Sequence, residues 1–464
     1  MSESIAQGRP NLAGTIEQLM TDHVDLGIIT DSDAAIARCR AVGEQFEYRL
    51  KEWRTLDQFL EGQEIPRVVV AYVSNASQEG AAEAAQVVRY KCRDSFIICV
   101  VPDRLGREVA AFVKKSGAHL ILLAEELHQT SKLEYACTQV VKADYLPIKT
   151  ADLMPGQAIP FDIYHLLPIR QKFLKFAFEG DTLNQEKISK ATEVGELYIK
   201  KMSAEKFNLY TNSNPDRSAR GLARRCRSQF LALYSSYAQL VLLLTDQSEY
   251  ASFKEGESLL KRCRDLGSEL MITLGEFGNA WEIVNNSTIG EFGSTERAPA
   301  VAAYAALFGL QIDIAGISDI MIAALLSELG LLLLPPDISV KLRAQELDQL
   351  SPEQRRIYEL YPQKSLDIVL GRKLPVDEKL RELLISTHER ADETGFPRKL
   401  PARRISEGAQ LVHFCRLFDQ KTVIAMGKAR VDREDVRREI IRQELQNPSR
   451  FSPLFMEKLK KAFP

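Results

Sequence analysis

Six histidines occur in the 464 residues, and beyond Phe207 only His388 and His413 remain. A metal centre that ionises a water is held by a cluster of imidazoles and carboxylates. Two histidines cannot rebuild a His-rich centre from the residues of the C-terminal half, and the plain reading of His388 is a hydrogen-bonded helix histidine. The seven cysteines, Cys39, Cys92, Cys99, Cys137, Cys226, Cys263 and Cys415, are scattered and contain no Cys-x-x-Cys pair. Their odd number and spacing predict reduced thiols. Arg217, Arg220, Arg224, Arg225 and Arg227 form a local basic cluster that could grip phosphate, although its plain reading is a solvated helix face. Lys341, Arg390, Arg398, Lys399, Arg403 and Arg404 bring further positive charge to the region of Gly395-Phe396-Pro397, which taken alone is a turn tripeptide.

In the C-terminal part the order of several motifs says more than any one of them. Ala324-Leu325-Leu326-Ser327-Glu328-Leu329-Gly330 is followed by Pro336-Asp337-Ile338-Ser339-Val340-Lys341, by Leu350-Ser351-Pro352-Glu353 and by Tyr361-Pro362. Then come Thr387-His388-Glu389-Arg390-Ala391-Asp392-Glu393-Thr394-Gly395-Phe396-Pro397 and Ala409-Gln410-Leu411-Val412, running through Phe418-Asp419 to Thr422. This series resembles the HD-GYP family, the all-helical phosphodiesterases of cyclic di-GMP. The resemblance implies an all-α HD-GYP-like domain over residues 291–464, with the family's metal ligands falling at Arg297, Ser327, Glu328, Tyr361, Thr387, His388 and Arg416. Only His388 keeps a family ligand, and Glu328 is a shifted carboxylate. Arginine has no lone pair for a metal and repels cations, so the expectation is a degenerate domain without metal, cofactor or catalysis. A further expectation is that Arg297 and Arg416 pair with Glu328 and with Asp392, filling the space of the metals.

The resemblance also implies what such a domain still does. The loop in this family that carries the Gly-Tyr-Pro sequence is associated with docking to GGDEF-type cyclases and PilZ-type effectors, and the candidates here for such docking or for nucleotide binding are Lys341, Arg390, Asp392, Gly395, Phe396, Pro397 and Arg398. A protein-interaction scaffold is the first reading. A cyclic di-GMP sensor that does not hydrolyse its ligand is the second, and an active metal-dependent phosphodiesterase is the third.

These positions must be held by secondary structure, and the pattern of apolar residues assigns it. Runs at Leu26 to Thr30, Glu47 to Trp53, Arg67 to Ser74, Phe96 to Val101 and His119 to Ala124 read as strands, with helical stretches such as Ala34 to Gly43 and Gln78 to Lys91 between them. Such alternation predicts a doubly wound parallel α/β sheet over residues 1–143. It resembles a response-regulator receiver domain whose working residues are missing. Asp31 and Asp33 fall at the acidic pair, Tyr72 at the phosphoacceptor, Val100 and Val101 at the hydroxyl residue and Ala124 at the lysine. A tyrosine supplies no carboxylate nucleophile, so a pseudo-receiver is expected, against the plainer reading of a flavodoxin-like module without signalling ancestry.

Residues 144–210 change to aromatic-rich alternation, as in Lys172 to Phe178, closed by Glu179-Gly180-Asp181. With a helix over Asn184 to Val194 and a strand over Leu197 to Ile199 this reads as a small α+β module. Asn212 to Pro215 mark a loop. Ala219 to Thr245 and Glu255 to Asn285 then read as long connecting helices over residues 211–290, a stalk or a dimerising bundle that makes a homodimer the expected state.

Length gives a prior of about three domains. Sixty-one Lys plus Arg against 63 Asp plus Glu leave a net charge of -2, which excludes bulk attraction to nucleic acid or anionic lipid. The residues MSESIAQGRPNLAG have neither a basic start nor an apolar stretch, so no secretory signal is expected. Ile317 to Pro336 is interrupted by Ser318, Asp319, Ser327, Glu328 and Gly330, a poor membrane span. A cytoplasmic protein of bacterial signalling is the resulting expectation.

Overall fold

The computed structural model describes residues 24–167, 172–194, 196–213, 216–248, 253–276, 294–422 and 432–463. The chain divides into two compact units, Met1–Ile121 and Leu122–Pro464.

The first unit is built on β1 (Leu26–Thr30), α1 (Asp33–Phe46), β2 (Leu50–Trp53), α2 (Leu56–Glu61), β3 (Val68–Tyr72), α3 (Gln78–Lys91), β4 (Phe96–Val101) and α4 (Gly106–Lys115), with β5 (Leu120–Leu123) leading into the second unit. The strands form a sheet in the order β2-β1-β3-β4-β5, with β1 parallel to β2 and β3, and β3 parallel to β4. Consecutive side chains of a strand point to opposite faces, yet Val68, Val69 and Val70 are all buried, so both faces of this sheet are covered. That is the expected doubly wound arrangement. Helix starts follow from local chemistry: Ser32, Thr55 and Ser77 cap α1, α2 and α3 by accepting from the backbone N–H groups of Ala35, Gln58 and Gly80. The short α2 was not foreseen. Lys91 holds its C-terminal end by donating to the carbonyls of Phe59 and Gly62, as a cation at a helix C-terminus should.

The second unit opens with α5 (Ala124–Gln129), α6 (Lys132–Cys137) and a wide helical turn over Thr138–Lys142. The first module was expected to run to residue 143, whereas the compact units part at Ile121/Leu122. Residues 124–142 pack with the C-terminal helices: Ser131 donates through Oγ to the carbonyl of Leu331 at 2.9 Å and through its N–H to that of Leu332 at 3.2 Å.

Next come β6 (Tyr145–Ile148), β7 (Ile163–Leu167), β8 (Lys172–Ala177), α7 (Gln185–Val194) and β9 (Leu197–Lys200), giving an antiparallel sheet in the order β6-β9-β7-β8. Leu146, Ile148, Leu197 and Ile199 face the core, and Tyr145 and Tyr198 face away from it, the period-two pattern of a sheet with one covered face.

The remaining elements are helices: α8 (Ala204–Asn212), α9 (Ala219–Thr245), α10 (Phe253–Glu276), α11 (Ser294–Gln311), α12 (Ile317–Leu326), α13 (Pro336–Arg343), α14 (Pro352–Glu359), α15 (Tyr361–Gly371), α16 (Glu378–Ser386), α17 (Glu407–Thr422), α18 (Arg433–Gln446) and α19 (Pro453–Ala462). One apolar cluster runs continuously from Tyr135 through the sheet and α9 to Leu459. The segments read from sequence as a separate small module, connecting helices and a terminal domain therefore share a core.

Two expectations are corrected here. Helix α9 is no stalk, since most of its residues from Gly221 to Thr245 are buried between α8, α10 and α11. Its basic cluster is not uniformly a solvated face either. Arg224 and Arg227 are buried, and Arg227 binds the fully buried carboxylate of Asp152, with Nε 3.0 Å from Oδ1. Helix α10 covers the expected span as far as Glu276, and residues 277–285 lie outside the described residues. No helix among the described residues is long and apolar enough to cross a membrane.

Candidate functional site

Four helices bring side chains to one buried cluster in the second unit. Ser327 closes α12 and Glu328 follows it, Tyr361 begins α15, Thr387 closes α16 with His388 next, and α17 carries Arg416. Glycine makes the approach of α15 feasible, because a Cβ on Gly330 would overlap the carbonyl oxygen of Tyr361. Ser365 ties the same joint by accepting from the N–H of Gly330 and donating to the carbonyl of Ser327, both at 2.7 Å.

At the centre, Nη1 of Arg416 lies 2.7 Å from Oε1 of Glu328 and 2.6 Å from the hydroxyl of Tyr361. Both Arg416 and Tyr361 also contact the ring nitrogens of His388. The Tyr361 hydroxyl is 3.2 Å from Oε1 of Glu328, and Nε2 of His388 is 3.5 Å from it. Glu328, Tyr361 and His388 are buried, and the Arg416 side chain keeps 20% of its surface exposed. A carboxylate so deeply placed needs a charged partner, and the guanidinium supplies it with directed donors.

Burial dominates the titration of the cluster. It pushes the Glu328 carboxyl above the usual range, with the Arg416 charge pulling the other way. It pushes the Tyr361 phenol well above its ordinary value. Burial and then the charge of Arg416 push His388 well below its ordinary value, so the imidazole is neutral at neutral pH. His413 behaves alike, lowered to about 3 by burial and by Arg416.

The other positions singled out by sequence are engaged elsewhere. The hydroxyls of Ser327 and Thr387 donate to carbonyls of the helices they close, at Ala324 and Leu384. Arg297 does not pair with Glu328 as expected. It forms a two-pronged pair with Asp419 of α17, Nε to Oδ2 at 2.7 Å and Nη2 to Oδ1 at 2.5 Å. Asp392 is also outside the cluster. It closes an exposed turn, accepting from the N–H and hydroxyl of Thr394 and from Arg390. Arg416 alone of the two arginines pairs with Glu328.

The loop after His388 is built around Glu389. Its carboxylate accepts from the backbone N–H of Arg398 at 2.8 Å and of Leu400 at 2.9 Å. Phe396 stacks on the His388 ring at 4.8 Å and meets Tyr358 edge-on. The Phe396–Pro397 peptide is cis. Gly395 is required by close approach, since a Cβ there would overlap the backbone at Glu389 and Arg390. Arg398 holds the loop to α16 through Glu382 at 2.7 Å and Ser386 at 2.7 Å. Lys341 donates to the carbonyl of Gln349 and to Gln354.

Sequence reasoning left Glu389 and Asp419 without roles. Asp419 stood within a quoted motif, but its partner Arg297 lies 122 positions away, beyond the reach of any local pattern. Glu389 stood within a quoted motif, but a buried loop-holding carboxylate has no sequence signature of its own.

The metal ions implied by the family resemblance do not fit these residues. Glu328 and His388 are the ligand types present at the cluster, and both already contact Arg416, a permanent cation. Among the described residues no group of three or more His, Cys, Asp or Glu could hold a metal ion.

In the first unit, Tyr72 ends β3 between Thr30 of β1 and Val100 of β4. Asp31 accepts from the N–H of Ser74 at 3.0 Å and its hydroxyl at 2.8 Å, whereas Asp33 pairs with Arg54 at 2.7 Å. The two aspartates thus serve different partners. Ala124 is the buried first residue of α5 and belongs to the second unit.

Comparison with known proteins adds the following. No curated protein matches the chain. A solved structure described as Bd1817, a HDG"Y"P protein from Bdellovibrio bacteriovorus, is similar at 16% sequence identity and a TM-score of 0.45, over 68% of this chain and 99% of that one. Residues 282–437, which span the Arg416 cluster and the Glu389 loop, match the HD domain family.

Proposed function

We infer that this chain is a non-catalytic signalling protein of the cyclic di-GMP network, a degenerate HD-GYP protein that works as a cytoplasmic scaffold through protein contacts. The observation that carries this reading is the Arg416 guanidinium at 2.7 Å from Glu328 and in contact with His388. A fixed positive charge at that point opposes cation binding, and without a cation held there no water is ionised for attack. The well-held loop around Phe396 supports docking as the remaining activity, with GGDEF-type cyclases or PilZ-type effectors as partners, and the receiver-like sheet offers a second docking face. Asp31 and Tyr72 at its strand ends accept no phosphoryl group in this reading. Isothermal titration with cyclic di-GMP tests it: the scaffold reading expects no binding below the micromolar range. Sub-micromolar affinity would replace the scaffold with a nucleotide sensor.

A further inference from the structure

We propose that Lys399, Arg403 and Arg404 form a docking ledge for an acidic segment of a partner protein. This rests on the scaffold reading and names the partner's chemistry. From Phe396 to Ser406 the chain holds the cations Arg398, Lys399, Arg403 and Arg404 and no acidic residue. Three of the acids around this stretch are already engaged. Glu382 binds the Arg398 guanidinium at 2.7 Å, Glu389 accepts from the loop backbone, and Glu407 pairs with Lys458. Arg398 is thereby neutralised, whereas Lys399, Arg403 and Arg404 are exposed and have no ion-pair partner among the described residues. Two exposed arginines elsewhere in the second unit, Arg438 and Arg442 on α18, are by contrast paired with Glu434 and Glu439.

The backbone that carries the three cations is held in place. Lys399 has a φ of 54°, a conformation uncommon for a lysine, and the residues on both sides of it are fixed by the fully buried Glu389 carboxylate. Arg403 and Arg404 sit on a short 3-10 turn, Ala402–Arg404, closed by the N–H of Arg404 on the carbonyl of Pro401 at 2.8 Å. A backbone fixed beforehand loses less freedom when a partner arrives. With a net charge of -2 for the chain, attraction for an acidic surface comes from this ledge and not from the bulk.

The test uses the full chain and a labelled poly-glutamate peptide, followed by fluorescence anisotropy at several salt concentrations. The expected result is binding that weakens with salt and falls by about tenfold or more in the variant K399E/R403E/R404E, with an unchanged thermal midpoint. The variant K460E/K461E, which reverses two exposed lysines of α19, is expected to bind as the parent does. Equal loss in that control would reduce the effect to bulk charge and overturn the proposal, as would absence of peptide binding. If inorganic phosphate or phosphatidylglycerol vesicles bind in place of the peptide and lose affinity in K399E/R403E/R404E, the ledge serves phosphate or lipid and the proposal falls. The scaffold reading fails on a separate readout, turnover of cyclic di-GMP, so the two can be rejected independently.

Discussion

Arg416 and Glu328, 88 positions apart in the chain, meet at 2.7 Å in the interior of the second unit. A carboxylate and a guanidinium brought out of water must compensate one another, and removing either leaves an uncompensated charge. Arg416→Leu is therefore expected to destabilise the fold by about 3–5 kcal/mol, and Glu328→Leu by a similar amount. The double variant, which buries two apolar side chains, should lie close to the parent or above it. Urea denaturation of the four proteins gives the coupling; additive losses in the double variant would show that the pair is not the unit of stability.

Arg227 and Asp152 make a parallel case outside the Arg416 cluster. Asp152 is fully buried and α9 is anchored to the loop after β6 through it. Asp152→Ala should cost about 3–5 kcal/mol, readable as a fall in the urea midpoint at constant slope. A loss below about 1 kcal/mol would mean that the pair behaves like an exposed one.

Gly395→Ala is expected to disturb the loop around Phe396, because the new methyl overlaps the Arg390 and Glu389 backbone. Forced backbone movement of this kind costs about 3 kcal/mol. Rotation of Phe396 away from His388 would accompany it, visible as a change in the ring-current shifts of His388 by NMR. A variant with parent-like stability and shifts would show that the loop adapts freely.

Acid should destabilise the second unit through its buried histidines. His388 and His413 both titrate below their ordinary value because burial and Arg416 disfavour the imidazolium. A base whose folded value is depressed binds its proton in the unfolded state first, so its contribution is complete above about pH 6.5 and is lost as the pH falls below that. The expected slope is about 1.4 kcal/mol per pH unit for each histidine. Glu328 is raised and acts with the opposite sign, its contribution being full below its unfolded value and lost as pH rises through the folded one. Denaturation at pH 7.5 and 5.5 checks the sum, and His413→Gln should flatten the dependence. An equally steep profile in that variant would remove His413 from the account.

Local pattern made much of the architecture legible. Strands β1 and β4 and helices α3 and α9 begin and end where the runs of apolar residues and their flanking caps place them. The short α2, β6 and β7 were missed, since four to six residues carry too little periodicity to stand out from a loop. The role of α9 was misread for a different reason. Arg220, Arg224, Arg225 and Arg227 look like a solvated face until Asp152, 75 residues before Arg227, is seen to be buried against that last arginine. The same limit governs the candidate site. Motif order brought Glu328, Tyr361, His388 and Arg416 into one frame, and the structure places them in contact. The partner of Arg297 lay 122 positions away at Asp419, and no local rule chooses between Asp419 and Glu328.

The proposed absence of hydrolysis is addressed directly by a turnover assay. Full-length protein reconstituted with Mn²⁺ or Fe²⁺ and incubated with cyclic di-GMP should release no linear dinucleotide or GMP above the metal-only control. Product that accumulates with the parent and vanishes in His388→Ala would contradict it.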